Sequence, residues 1–334
     1  MRPTVNKLKT LGIHLPLFPL TSVGSFPKPD YIKRARAQFK KQEIDRNRLS
    51  DLEERATREW IEFQEEIGLD VLVDGEMYRG DMVAFFAEQL AGFKDSGFVR
   101  SYGNRFYRKP VICGPVSWEK PLTVDWWKRA QAMTKKPMKG VLTGPYTIMD
   151  WSFNEFYKDR EETAMALAQV IRKEVEALIE AGAKIIQIDE PACSVRPQEL
   201  PLVSHAMDAV TRDLPAYFVT HICYGDFEKI YPEMNEIPVD NFDLEMSNSE
   251  NDLLRCVRRR RFSKDLTAGI VDVHSHHLED KALLAKRIRE ILQCVEPDQL
   301  WIDPDCGLKT RTVDEAKQKL TAIAEVVREL RTQH

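Results

Sequence analysis

The chain has 334 residues, of which 43% are hydrophobic and 31% are charged, a balance typical of a globular protein with a substantial core. The formal net charge is −4 with both signs interspersed, which argues against a nucleic acid or an anionic membrane as the partner. Six cysteines are too few for a disulfide scaffold, so we expect a reducing, cytoplasmic setting. The most apolar N-terminal run, residues 11–20, contains Pro16 and Pro19 and is too short for a bilayer.

After residue 20, short strand-like runs alternate with long amphipathic runs. The predicted strands are residues 21–26, 71–74, 111–113, 140–143, 184–189, 217–223, 241–246, 268–273 and 300–302. The predicted helices include residues 51–67, 161–181, 280–295 and 313–330. Ser50 is followed three residues later by Glu53, a capping-box pattern that predicts the start of the first long helix.

This alternation indicates an α/β fold built on a parallel sheet. The number of strands fits a (βα)8 TIM-type barrel with one extra strand better than an open doubly wound sheet, and no G-x-G-x-x-G follows the first strand. We assign the extra strand to residues 111–113, because residues 98–110 look like a long excursion. The predicted organisation is an N-terminal extension, residues 1–20, and a single catalytic barrel, residues 21–334.

Residues that can do chemistry stand at the ends of several predicted strands. They are Gly24-Ser25, Gly75-Glu76, Asp189-Glu190, His221 and Cys223, Glu245, His274, and Asp305-Cys306. In a βα barrel the active site is built at the C-terminal ends of the strands, so polar residues there indicate a site rather than core.

Some of these residues form a possible metal site. His221 and Cys223, two positions apart in an extended strand, project to the same side. With Glu245 and Cys306 they would provide two thiolates, an imidazole and a carboxylate, which is a plausible tetrahedral zinc set. The spacing alone leaves open that these groups are buried separately and never meet. For Cys193, Cys256 and Cys294 we expect packing among apolar side chains and no metal ligation.

Several collinear segments resemble the C-terminal catalytic half of cobalamin-independent methionine synthase. They occur in family order from about residue 20 to the C-terminus and are highly specific together. The segments are residues 22–27 (SVGSFP), 70–76 (DVLVDGE), 80–83 (GDMV), 101–105 (SYGNR), 139–145 (KGVLTGP), 150–153 (DWSF), 186–192 (IQIDEPA), 221–224 (HICY), 271–275 (VDVHS) and 300–311 (LWIDPDCGLKTR).

The resemblance implies a zinc-containing βα barrel that methylates homocysteine to methionine. It implies that one Zn²⁺ is held by His221, Cys223, Glu245 and Cys306. It implies that homocysteine is held by Val23, Gly24, Ser25, Glu76 and Asp189. Arg105, Phe106 and Trp151 match positions that contact the methyl donor, and His274 matches the proton donor, with Asp272 as a neighbouring carboxylate.

The donor side departs from the family pattern. Phe106 stands where we expect a cysteine, and Val195 stands where the family places an acidic donor contact. The long family enzyme also has an additional N-terminal half that helps to bind the polyglutamate tail of folate. These differences favour methylcobalamin or a methylated corrinoid protein as the donor, whereas Trp151 and Arg105 favour 5-methyltetrahydrofolate. Methyl transfer to another thiol and a non-catalytic zinc- or thiol-binding protein are further alternatives.

Overall fold

The computed structural model describes residues 3–100, 106–223, 225–231, 233–247, 252–259 and 262–333. The α-helices are α1 (Pro3–Thr10), α2 (Asp30–Lys40), α3 (Arg46–Ile67), α4 (Met82–Ala87), α5 (Val124–Gln131), α6 (Pro145–Asp150), α7 (Arg160–Glu180), α8 (Leu200–Thr211), α9 (Phe227–Ile230), α10 (Asp252–Arg259), α11 (Lys281–Ile291) and α12 (Val313–Arg331). The strands are β1 (Ala91–Arg100), β2 (Phe106–Ser117), β3 (Lys139–Thr143), β4 (Phe153–Asn154), β5 (Ile185–Asp189), β6 (Tyr217–Ile222), β7 (Asn241–Glu245), β8 (Asp265–Gly269) and β9 (Leu300–Asp303). No helix in these described ranges is long and apolar enough to cross a membrane.

The chain divides into two compact units. The first consists of Met1–Tyr78, Trp126–Lys139 and Asn241–His334, and the second of Arg79–Asp125 and Gly140–Asp240. Each unit contains parallel strands whose residues are buried, as expected of strands covered on both faces.

The first unit is built on the parallel ladder β7–β8–β9. Single parallel bridges extend the pattern at Leu20 with Ile302, Ser25 with Gly75, and Leu72 with Met138. Helix α12 packs against β9 and α3, and its apolar face is buried in the core of the first unit. The parallel arrangement directs the carboxyl ends of β7, β8 and β9 to one edge.

The second unit contains a parallel pair and a separate small sheet. Strands β5 and β6 pair in parallel, and β3 lies beside β5. Strand β2 pairs antiparallel with β1 and parallel with the short β4. The predicted segment 111–113 therefore lies in the small sheet, in a hairpin separate from β3, β5 and β6, which agrees with its assignment as an extra strand. Helix α7 packs on α6 and α8.

The structure corrects two predicted boundaries. Helix α3 begins at Arg46 rather than near Ser50, because the Asp45 side chain accepts a hydrogen bond from Arg48 N at 2.7 Å and caps the helix earlier. Strand β8 ends at Gly269, so most of the predicted strand 268–273 is a buried loop. Its apolar residues are buried without a ladder, which produces the same hydrophobic pattern as a strand.

Two other predicted strands form isolated bridges instead of ladders. Residues 21–26 and 71–74 make contact at the ends of the segments, where Leu20 O accepts hydrogen bonds from residues 70 and 71 and Gly75 O accepts one from Phe26 N. They occupy the positions of strands in the first unit without the regular pairing.

Helix α12 has a complete capping box at its N-terminus. Thr312 Oγ1 accepts a hydrogen bond from Glu315 N at 3.1 Å, and Thr312 N donates to Glu315 Oε2 at 3.0 Å. We expect Thr312→Ala to lower the free energy of unfolding by about 1 kcal/mol, because the backbone N–H of Glu315 loses its acceptor. Urea denaturation of the variant beside Thr312→Ser, which retains the hydroxyl, tests this. Equal losses in both variants would contradict the capping role.

Candidate metal centre and active site

Three metal-binding side chains lie together at strand ends. His221 is next to last in β6 and Cys223 follows the strand, while Cys306 lies in the turn after β9. Each offers a ligand atom, and these atoms all lie within 4.8 Å of one another. Two thiols and an imidazole suit a soft or borderline cation, and tetrahedral zinc is the cation that such sets commonly hold. The donor chemistry therefore fits the predicted metal.

The fourth predicted ligand, Glu245, is the last residue of β7 and is buried. Its carboxylate is not part of the group formed by His221, Cys223 and Cys306. Across the described ranges no second group of at least three potential ligands meets the same distance limit. The role of Glu245 as a ligand stays a prediction.

Asp305 precedes Cys306 and is fully buried. Its carboxylate accepts hydrogen bonds from Met246 N at 3.1 Å and from Ser247 N at 3.0 Å, as well as from the Ser247 hydroxyl. Burial raises the pKa of Asp305 to about 8, against these hydrogen bonds, which favour the ionised form. From the sequence, Asp305 is predicted only as one of the strand-end residues, although its position beside a candidate ligand is a usable signal.

The predicted homocysteine-binding residues of the first unit lie near the bridge between Ser25 and Gly75. Val23 and Ser25 are buried, and Ser25 O accepts a hydrogen bond from Leu308 N at 2.8 Å. This bond ties the segment with Val23, Gly24 and Ser25 to the loop that follows Cys306.

Glu76 has a left-handed backbone with φ 58°, which is uncommon for a residue other than glycine. Two contacts hold this conformation: Glu76 N donates to Asp74 Oδ1 at 2.8 Å, and Glu76 O accepts from Lys28 Nζ at 3.1 Å. The Glu76 residue is buried. A residue other than glycine held in the left-handed region is often found at functional positions.

The second unit provides Asp189 at the end of β5. Its carboxylate accepts a hydrogen bond from Gln187 Nε2 at 2.8 Å, and its backbone oxygen accepts one from Gly144 N at 2.8 Å. Asp189 is 7% exposed, so the side chain retains a small accessible surface.

Glu190, predicted from the sequence only as a strand-end residue, makes several buried hydrogen bonds. Its carboxylate accepts hydrogen bonds from Tyr146 N at 3.0 Å, from Thr147 N at 2.7 Å and from Thr147 Oγ1 at 2.7 Å. Full burial raises its pKa to about 7 even though these bonds favour ionisation. Glu190 thereby fixes the first turn of α6. The signal was the second acid directly after a buried strand.

Helix α6 leads to the predicted donor contact Trp151. This half-buried residue forms the C-cap of α6, and its backbone N–H donates to Thr147 O at 3.0 Å. Phe106 begins β2. Arg105 lies outside the described residues. Of the three predicted donor contacts, Trp151 is therefore the one whose side chain the structure describes.

His274 lies in an exposed loop after β8. Its backbone N–H donates to Asp272 Oδ1 at 2.7 Å, so the predicted carboxylate neighbour holds the histidine backbone through this bond. Asp272 N in turn donates to Glu279 Oε1 at 2.8 Å, and the buried Lys319 ammonium lies 3.1 Å from Glu279 Oε2. A buried ion pair therefore anchors the loop that carries the predicted proton donor.

The comparison residues differ from the ligand group in their surroundings. Cys193 is fully buried, and burial raises the pKa of its thiol well above the ordinary value, as expected of a packed side chain. Cys256 lies on α10, and Cys294 Sγ lies 3.8 Å from Leu254 O. Val195, the apolar residue at the expected acidic donor position, is 70% exposed.

Parallel strands, intervening helices and a thiolate-rich candidate metal site at the strand ends define an α/β enzyme class of the TIM-barrel type. Residues 18–329 match the family described as the cobalamin-independent synthase, catalytic domain. The chain belongs to this family.

Similar curated proteins differ in length. A methionine synthase from Saccharolobus solfataricus is 39% identical over 321 residues, which cover 94% of this chain and 96% of that protein. A 5-methyltetrahydropteroyltriglutamate–homocysteine methyltransferase from Flavobacterium johnsoniae is 38% identical over 342 residues, covering 97% of this chain and 44% of that protein. The chain thus spans about the whole of the first relative and less than half of the second.

Solved structures support the barrel fold. A B12-independent methionine synthase from a Shewanella species, in complex with selenomethionine, has a TM-score of 0.83 and is 27% identical, covering 95% of this chain and 100% of that chain. A putative vitamin-B12 independent methionine synthase from Listeria monocytogenes shares the fold with a TM-score of 0.79 and 22% identity, covering 95% of this chain and 99% of that chain. The predicted α/β barrel class is confirmed.

Proposed function

We propose that the chain is a zinc-dependent methionine synthase that transfers a methyl group to the thiol of L-homocysteine. The observation that carries this proposal is the His221–Cys223–Cys306 group in a chain of the cobalamin-independent synthase family. Glu245 completes the proposed ligand set. The proposed catalytic unit is a single barrel over residues 21–334, preceded by an extension over residues 1–20.

Each proposed residue has one chemical task. A bound Zn²⁺ would lower the pKa of the homocysteine thiol, which is otherwise mostly protonated at neutral pH and a poor nucleophile. Glu76 and Asp189 would hold the substrate ammonium through charge-assisted hydrogen bonds. The segment of Val23, Gly24 and Ser25 would hold the rest of the amino-acid backbone. This binding fixes the direction of the sulfur toward the methyl donor.

The donor decides whether a proton is needed. We propose methylcobalamin or a methylated corrinoid protein, which the exposed Val195 in place of an acid and the noncysteine residue Phe106 support. The alternative is 5-methyltetrahydrofolate, which the retained Trp151 and Arg105 support. Its leaving nitrogen must be protonated, and His274 would deliver that proton. Trp151 would then contact the donor.

The first experiment measures methionine formation by the zinc-loaded protein with homocysteine and one donor at a time. The donors are methylcobalamin, 5-methyltetrahydrofolate with one glutamate and the same folate with three glutamates. Turnover with methylcobalamin alone supports the corrinoid donor, and turnover with folate overturns it in favour of the alternative. If methionine forms with none of them while zinc and homocysteine bind, both free donors are excluded and a methylated partner protein becomes the next donor to test.

The two less favoured functions are separable in the same assay. A protein that methylates another thiol would transfer the methyl group to that thiol faster than to homocysteine. A non-catalytic binding protein would bind zinc and thiols with no methyl transfer to any acceptor. The buried carboxylates of Glu76 and Asp189, which suit an amino-acid ammonium, favour homocysteine.

Glu76→Gln tests the ammonium contact. We expect homocysteine to bind about 10- to 100-fold more weakly, because a hydrogen bond to a charged acceptor contributes about 1.5–3 kcal/mol. Calorimetric titration of the zinc-loaded protein with homocysteine measures this change. Glu43→Gln on the exposed surface is the control and should bind as the unchanged protein does. Equal affinity of the Glu76 variant and the control would rule out the proposed contact.

A further inference from the structure

Asp305 connects the segments that carry two of the proposed metal ligands. Its side chain is fully buried, yet its oxygens accept three hydrogen bonds from the residues that follow β7. Those donors are Met246 N, Ser247 N and Ser247 Oγ. Met246 directly follows Glu245, and Asp305 directly precedes Cys306. One carboxylate therefore joins the backbone beside one proposed ligand to the backbone beside another.

The backbone of Asp305 reaches a third strand end. Asp305 N donates to Val271 O at 3.1 Å, in the loop that follows β8. A Cβ atom on Gly269 would lie 2.5 Å from Asp305 Cα, which is closer than side-chain carbons are found. The last residue of β8 is thus a glycine where the Asp305 turn approaches closely. The ends of β7, β8 and β9 meet at this aspartate.

Arg287 of α11 donates hydrogen bonds to the same two segments, after β7 and after β8. Its Nη1 donates to Ile270 O at 2.6 Å, and its Nη2 donates to Ser247 O at 3.3 Å. Ser247 is therefore held through its carbonyl by Arg287 and through its amide and hydroxyl by Asp305. This arrangement leaves the backbone after Glu245 little freedom to move.

We propose that Asp305 is a positioning residue for the metal site, which fixes the direction of Glu245 and Cys306 before a metal binds. This inference rests on the proposed function, since it assumes that these residues hold zinc. Partners outside the ligand shell orient the ligands, and their loss commonly lowers metal affinity 10- to 100-fold. Asp305 is fully buried, is hydrogen-bonded to the segment that follows Glu245 and is the residue before Cys306, so it is placed to have such an effect without contacting the substrate.

The test compares the zinc affinity of variants by competition with a chelator, in the absence of any methyl donor. Asp305→Ala is expected to bind zinc about 10- to 100-fold more weakly. Asp305→Asn retains an oxygen that accepts the Met246 and Ser247 amides, so its affinity should lie between those of the alanine variant and the unchanged protein. The absorption bands of bound Co²⁺ should also shift in Asp305→Ala, because the ligand geometry relaxes.

Glu174→Gln is the matched control for the loss of a buried, hydrogen-bonded carboxylate. Glu174 is fully buried on α7 and accepts hydrogen bonds from Trp118 Nε1, Leu122 N and Thr123 N. Its replacement should lower stability while zinc affinity and the Co²⁺ spectrum stay unchanged. A merely structural role of Asp305 would give the same pattern in both variants.

Ser247→Ala provides a milder variant if Asp305→Ala does not fold. It removes one of the three hydrogen bonds to Asp305 and should weaken zinc binding several-fold. Tight zinc binding by the unchanged protein together with equal affinity in the Asp305 and Ser247 variants overturns the positioning role alone. Failure of the unchanged protein to bind zinc tightly overturns the proposed metal-dependent function as well.

Discussion

Cys306→Ser is expected to lower zinc affinity more than about 100-fold and to reduce methyl transfer to background, a larger effect than the loss of an outer partner. A serine hydroxyl is not deprotonated near neutral pH and is a harder donor than a thiolate. Without this thiolate the cation would keep one thiolate, from Cys223, beside His221 and the proposed ligand Glu245. Zinc content after dialysis, followed by the methionine assay, measures both effects.

Cys294→Ser is the matched control for this replacement. Cys294 is half-buried, and its sulfur lies near backbone oxygens of Leu254 and Glu290, outside the group formed by His221, Cys223 and Cys306. Its variant should retain zinc and full transfer activity. Retention of zinc and activity in Cys306→Ser would show that the thiol is not a ligand and would refute the proposed site.

The part of the site that the sequence made predictable follows from topology. Parallel strands end at the same edge, so polar residues after separate strands are expected to converge, and His221, Cys223 and Cys306 do so. The collinear motifs indicated the family to which a chain with these residues belongs. The family match over residues 18–329 confirms that prediction. The strand positions of Asp189 and Glu245 were predictable for the same reason.

What could not be predicted depends on contacts between residues distant in the chain. Asp305 looks like any polar residue in its motif, and its bonds to Met246 and Ser247 arise only when β7 and β9 are placed in one unit. The early start of α3 is a different case, because the cap is local: the Asp45 side chain accepts from Arg48 N, and the sequence also offers a capping pattern at Ser50. Two candidate caps five residues apart fit the same helix, and the sequence pattern alone does not fix which of them is its first residue.

The contact between Gly144 and Glu190 is a further case that only the structure shows. A Cβ atom on Gly144 would lie 2.2 Å from both Cδ and Oε1 of Glu190. The Glu190 carboxylate is buried and holds the amides of Tyr146 and Thr147, so it cannot move away without leaving these donors unpaired. Gly144 itself has φ −74°, a conformation open to any residue, so the lack of a side chain matters for space rather than for backbone freedom.

We therefore expect Gly144→Ala to lower the free energy of unfolding of the zinc-loaded protein by about 3 kcal/mol. Gly80→Ala is the control, because a Cβ atom there would meet nothing within 4 Å, and it should change stability by less than about 0.5 kcal/mol. Urea denaturation at fixed zinc concentration measures both.

A double-mutant cycle identifies the cause of that loss. Glu190→Ala alone should also destabilise, since it leaves the amides at the start of α6 without their acceptor. In its background Gly144→Ala has no carboxylate to displace, so the two changes should be less than additive by about 2 kcal/mol. Additive losses would place the cost of the alanine elsewhere than at Glu190. A coupling of the expected size would identify the carboxylate after β5 as the group that requires glycine before α6, and so as the anchor of the helix that ends at Trp151.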